Sequence, residues 1–123
     1  MEGQTLEHER SPGRGVRTVE AGTLTIEIEP TQGSTGIRLT GEFDVSTVNA
    51  VDRELRQAID SSNDAVTVDL SGLEFIDAAG IACLLRVTQG PRLRPLVSFL
   101  RPPAAIARIF AMASVSDLLP YVD

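Results

Sequence analysis

Apolar residues change their spacing twice between positions 24 and 70, and few folds accommodate that change. Leu24, Ile26 and Ile28 alternate with Thr25, Glu27 and Glu29, the period-two pattern of a strand with one face buried. Residues 30–36 hold a proline, two glycines and a serine and read as a turn. Ile37, Leu39 and Gly41 then take the inward positions of a second strand, paired with the first as a hairpin. At Val48 the spacing lengthens: Val48, Val51, Leu55 and Ile59 lie three and four apart, with Asp52, Arg53, Glu54, Arg56 and Gln57 on the other face. This predicts a helix, capped by Ser46 or Thr47. Ser61-Ser62-Asn63-Asp64 ends it, and residues 65–70, rich in β-branched side chains, read as a central strand. Strand, helix and strand in that order imply a crossover that lays both strands in one sheet.

The rest of the chain extends the pattern. Ser71-Gly72 precedes a short apolar piece over 73–76 and the turn Asp77-Ala78-Ala79-Gly80. Ile81, Leu84, Leu85 and Thr88 then follow at helical spacing as far as Gly90-Pro91. Residues 96–100 read as a strand. Pro102-Pro103 opens a third helix with Ile106, Ile109, Phe110 and Ala113 as its buried stripe. Residues 118–122 are expected to form a last short strand. Residues 1 to about 20, with Ser11-Pro12-Gly13-Arg14-Gly15 and almost no apolar periodicity, read as a flexible tail. The expectation is one α/β domain over 21–123, a mixed β-sheet packed with helices in the order β-β-α-β-α-β-α-β.

Composition narrows the function. The net charge is −6, and all 11 positive charges are arginines, scattered along the chain. A nucleic-acid partner needs a concentrated basic face, so none is expected. No apolar run approaches the ~20 residues that cross a bilayer, and the start of the chain lacks the features of a secretory signal. No membrane partner is expected, and a cytoplasmic location follows. The single cysteine, Cys83, lies within an apolar helical pattern and reads as a small buried hydrophobe. The single histidine, His8, lies in the tail. Neither a nucleophile–histidine pair, a zinc ligand set nor a glycine-rich phosphate cradle is present. No cofactor or metal is implied, and an enzyme is not expected. Glu42 with Asp44, and Asp69 with Asp77, could meet at one edge of the sheet, where solvated loop acids or helix caps explain them better than acid–base chemistry.

The turn at Asp77 is different in kind. A strand ends there and a helix begins, so Asp77 can cap free helical N–H groups, and the positive end of the helix points outward. The small residues Ala78, Ala79 and Gly80 either leave the backbone open to a ligand or partner, or permit close packing of helix on sheet. Both readings stand on spacing alone.

Three segments carry a resemblance: Gly41-Glu42-Phe43-Asp44, Val68-Asp69-Leu70-Ser71-Gly72, and Phe75-Ile76-Asp77-Ala78-Ala79-Gly80-Ile81. In this order, with these elements between them, they resemble the STAS domain, and bacterial anti-sigma factor antagonists in particular. The likeness runs from about Leu24 to Val122. It implies a partner-binding regulator whose surface includes Asp44, Asp77, Ala78, Ala79 and Gly80. Its partner would be an anti-sigma factor, a serine kinase of histidine-kinase-like ATPase fold, whose capture frees a sigma factor. In such antagonists the kinase phosphorylates a Ser or Thr directly after the family's Asp. Here that position is Ala78, which has no hydroxyl. The resemblance therefore implies an antagonist held in its binding state, with modification of other hydroxyls such as Ser46, Thr47 or Ser71 left open. A scaffold or sensory module of a larger signalling complex, and a small-ligand or nucleotide-binding domain, are the alternatives.

Overall fold

The structure, a computed structural model, describes residues 7–10 (backbone only), 15–89 and 94–122. Six strands form one sheet in chain order: β1 (Glu7–Arg10), β2 (Arg17–Ala21), β3 (Leu24–Thr31), β4 (Ser34–Phe43), β5 (Ala65–Ile76) and β6 (Leu96–Leu100). The first four run antiparallel, and β4, β5 and β6 are parallel. Helix α1 (Val48–Ser61) makes the crossover from β4 to β5, and α2 (Ala78–Thr88) makes the one from β5 to β6; α3 (Ala104–Met112) follows. The mixed α/β sheet read from the sequence is the fold observed.

One face of the sheet is dry. Leu24, Ile26 and Ile28 of β3, Ile37, Leu39 and Phe43 of β4, and Val66, Val68 and Leu70 of β5 are buried against the helices, which contribute Val51, Leu55, Leu84, Ile106 and Phe110. The intervening Glu27, Glu29, Arg38 and Glu42 are exposed on the other face, so period-two patterning and one-sided burial coincide. Each large side chain buried in this way contributes about 1.5–3 kcal/mol. Gly41 has φ +111°, and a Cβ there would lie 2.1 Å from the Thr23 carbonyl oxygen, so only glycine lets β4 pass this close to the β2–β3 turn.

Four expectations need correction. The tail does not extend to residue 20. Arg17–Ala21 pairs antiparallel with β3, burying Val19 and Ala21, and Arg17 donates to the buried Glu54 of α1 at 2.7 Å. Two inward apolar residues gave too short an alternation to reveal this strand. The flanking β1 adds a strand where a tail was expected, and residues 1–6 and 11–14 lie outside the described set. The central strand is also longer than expected. β5 runs on through Ser71-Gly72 to Ile76, its register with β4 shifting between Arg38 and Thr40 and between Gly41 and Glu42.

At the C-terminal end no strand forms over 118–122. Ser116–Leu118 is a 3₁₀ turn, and one parallel bridge joins Phe99 to Tyr121. Phe99 N–H donates to Pro120 and Val122 N–H donates to Phe99, but Pro120 has no N–H with which to extend a ladder. Finally, Ala113 is exposed, so the buried stripe of α3 is Ile106 and Phe110 with Ile109 half-buried. Among the described residues, no helix is long and apolar enough to cross a membrane.

Candidate functional site

Parallel strands β4 and β5 end side by side, and their C-terminal ends place Asp44 and Asp77 at one edge of the sheet. Asp77 follows β5 directly and starts α2. Its Oδ1 accepts the N–H of Gly80 at 3.1 Å, a helix cap. Its Oδ2 accepts the N–H of Val45 at 3.0 Å, in the loop after β4. Its own N–H donates to the carbonyl of Phe43 at 3.3 Å. One carboxylate thus joins the start of α2 to the β4–α1 loop.

Asp44 shapes that loop from the other side. Its Oδ1 accepts the Ser46 N–H at 2.9 Å and the Ser46 hydroxyl at 2.6 Å. The hydroxyl bond is the largest of the effects holding the Asp44 carboxyl below its ordinary value, with the Ser46 and Thr47 amides adding to it. Thr47 precedes α1, but its hydroxyl makes no cap. It accepts from the Asp44 N–H at 3.0 Å and donates back to the Glu42 carbonyl at 3.1 Å. The side-chain capping expected of Ser46 or Thr47 is therefore replaced by a closed turn.

These bonds decide what the edge presents. Val45 is 71% exposed and Phe75 is 44% exposed. Ala78 is exposed and Ala79 half-buried. Gly80 is buried and does not belong to the surface. A Cβ there would lie 2.8 Å from both Ile76 Cγ1 and the Phe43 carbonyl, so close packing explains this glycine. The turn therefore divides, open at Ala78 and packed at Gly80.

Asp44 and Asp77 bond the same β4–α1 loop, a juxtaposition the sequence reading did not pair. The pairs it did raise, Glu42 with Asp44 and Asp69 with Asp77, share no bond. Glu42 accepts from the Thr23 hydroxyl at 3.1 Å, and Asp69 lies eight residues back along β5, facing Arg38 at 3.9 Å and accepting the Ser71 N–H. Among the described residues no group of three His, Cys, Asp or Glu could hold a metal ion. Cys83 is fully buried, and burial pushes its thiol up to about 11.

Val45 and Phe75 were not legible as surface residues. Gly41 and Phe43 point inward, so continued alternation would bury Val45; the chain leaves the strand at Asp44 and turns it out. Phe75 lies within an apolar piece in which Leu73 and Ile76 are buried, and the register shift beside Glu42 exposes it.

Comparison with known proteins adds a family. Residues 26–120 match the family model described as "Mlab, STAS domain". The fold is similar to a solved anti-sigma factor antagonist from Mycobacterium paratuberculosis, with 20% identity over 80% of this chain and 84% of that one and a TM-score of 0.70. It is also similar to the antagonist SpoIIAA in its unphosphorylated form, at 20% identity over 80% and 88% with a TM-score of 0.63. The phosphorylated form of SpoIIAA from Bacillus is similar at 19% identity over 80% and 91%, with a TM-score of 0.60. No curated protein matches the chain.

Proposed function

Because the chain belongs to the STAS domain family, we propose that it is a non-enzymatic regulator of the anti-sigma factor antagonist type, working in the cytoplasm. Its partner is an anti-sigma factor, a serine kinase of histidine-kinase-like ATPase fold, and its capture frees a sigma factor. The contact surface is the sheet edge formed by Asp44, Val45, Phe75, Asp77, Ala78 and Ala79.

The observation that carries this reading is the double hold of Asp77 on Gly80 and Val45. It fixes two segments so that an apolar residue stands out in solvent between two carboxylates. Exposed apolar side chains with a charged rim are the anatomy of a protein contact. Similarity to anti-sigma factor antagonists supports the class of partner. Ala78 occupies the position at which such antagonists carry their phosphate, so binding here is not released through that residue.

Titration calorimetry against the ATPase-fold kinases encoded in the same genome tests the reading. A stoichiometric complex with one of them is expected, and with ATP and magnesium added residue 78 stays unmodified. Failure of every such kinase to bind would remove the proposed partner class.

A further inference from the structure

We propose that the outer face of α3 is a contact surface for a second copy of this chain, seated on that copy's Asp77 edge. The contact needs no other protein, so it stands or falls apart from the kinase reading.

Among the described residues, the large apolar side chains left in solvent fall in three places. Val45 and Phe75 stand at the Asp77 edge, Leu96 at the opposite end of the sheet, and Met112, Leu118 and Val122 beyond the last turn of α3 and at it. Met112 is 79% exposed and Leu118 is 56% exposed. Helix α3 buries Ile106 and Phe110, and a helix lying on a domain ordinarily carries charged or polar residues on its other side. Here the outward positions are Ala104, Ala105, Arg108, Ala111 and Met112, with a single charge among them. After the helix the backbone turns back. The Val115 N–H donates to the Phe110 carbonyl and the Leu118 N–H to Val115, which keeps Leu118 at the same end of α3 as Met112.

Charge selects the occupant. The arginines are scattered along the chain, but the acids are not. Residues 78–116 hold five arginines and no Asp or Glu, whereas residues 1–77 hold 15 acids against six arginines. The next acid is Asp117, beside Leu118. The side of the domain built from α2, β6 and α3 is therefore basic in a chain of net charge −6. Arg108 is exposed and has no ion-pair or hydrogen-bond partner among the described residues. At the Asp77 edge the rim has the opposite sign. Glu74, exposed and likewise unpaired among the described residues, adjoins Phe75, and Asp44 and Asp77 hold the loop of Val45. Apolar centres with rims of opposite charge are complementary. Two copies meeting α3 to α3 would set Arg108 against Arg108, and meeting edge to edge would set carboxylates together. The contact therefore joins unlike patches, and further copies add in series unless the rotation closes a ring. It also covers the edge proposed for the partner, so a protein bound there displaces the neighbouring copy.

Sedimentation equilibrium of the full-length chain tests this, from about 10 μM to about 1 mM, the range of weak protein contacts. The average mass of the wild type is expected to rise with concentration. Met112→Asp and Val45→Asp should each stay at the mass of one chain, and Leu96→Asp should associate as the wild type does. An equal mixture of Met112→Asp and Val45→Asp is the sharper arm. The first variant keeps its edge and the second its α3 face, so the mixture is expected to form pairs and nothing larger.

Melting curves that overlay wild type show that the variants are folded. Arg108→Glu and Glu74→Arg, which leave the apolar side chains in place, should each weaken association by about threefold or more. A wild type that stays monomeric throughout overturns the proposal, and so does a loss confined to Leu96→Asp. A mixture that stays monomeric while the wild type associates would mean that like patches meet, and overturns it equally. None of these outcomes bears on the kinase reading, and failure of every kinase to bind leaves this contact untouched.

Discussion

Asp77 illustrates how much one side chain can hold. Its carboxylate replaces a missing partner for the Gly80 N–H and, with its other oxygen, fixes the Val45 N–H of a loop 32 residues away in sequence. Replacement by alanine loses both bonds. Loss of the cap and the loop bond is expected to destabilise the domain by about 1–2 kcal/mol in urea unfolding. Partner affinity should fall further than stability, because the loop bearing Val45 loses its anchor. A sharp loss of stability with affinity intact would make Asp77 a structural cap alone.

Asp44 gives a prediction of another kind. A carboxyl whose folded-state value is depressed contributes stability that is complete above its unfolded value, near 3.8, and that is lost as pH falls through the lower folded value. An NMR titration should find Asp44 below the ordinary carboxylate range, and Ser46→Ala should move it back towards that range. No movement would mean that the hydroxyl does not set it.

At the scale of elements, legibility followed the length of the pattern. Three inward residues made β3 plain, and the 48–59 spacing made α1 plain. In β2 only Val19 and Ala21 point inward, and its decisive partner is a charge, Arg17 on the buried Glu54. No local periodicity encodes a pairing across 37 residues. At the site, Asp77 announced itself as a cap by its place between strand and helix, whereas Val45 was hidden by an alternation that the turn at Asp44 interrupts.

The β2–α1 pairing can be tested directly. Arg17→Met should cost no more than about 3 kcal/mol, since Arg17 is one-quarter exposed and Arg53 remains 3.7 Å from Glu54. Adding Glu54→Leu should recover most of that loss in urea unfolding. No recovery would show that Arg17 acts through packing and not through the charge it neutralises.

Over the whole molecule, the sheet separates two edges. The C-terminal ends of β4 and β5 carry Asp44, Val45, Phe75 and Asp77. The opposite end, where β5 and β6 begin, carries Leu96, which is 60% exposed and equally apolar. Exposure alone therefore does not single out the proposed contact surface; the bonded frame around Val45 is what sets it apart. The measurement that tests this most directly is calorimetric affinity for the proposed kinase partner of wild type, Val45→Asp and Leu96→Asp, with melting curves for each. Val45→Asp is predicted to weaken binding by about tenfold or more, with Leu96→Asp close to wild type and all three equally folded. A Val45→Asp variant that binds like wild type, or a loss confined to Leu96→Asp, would contradict the account.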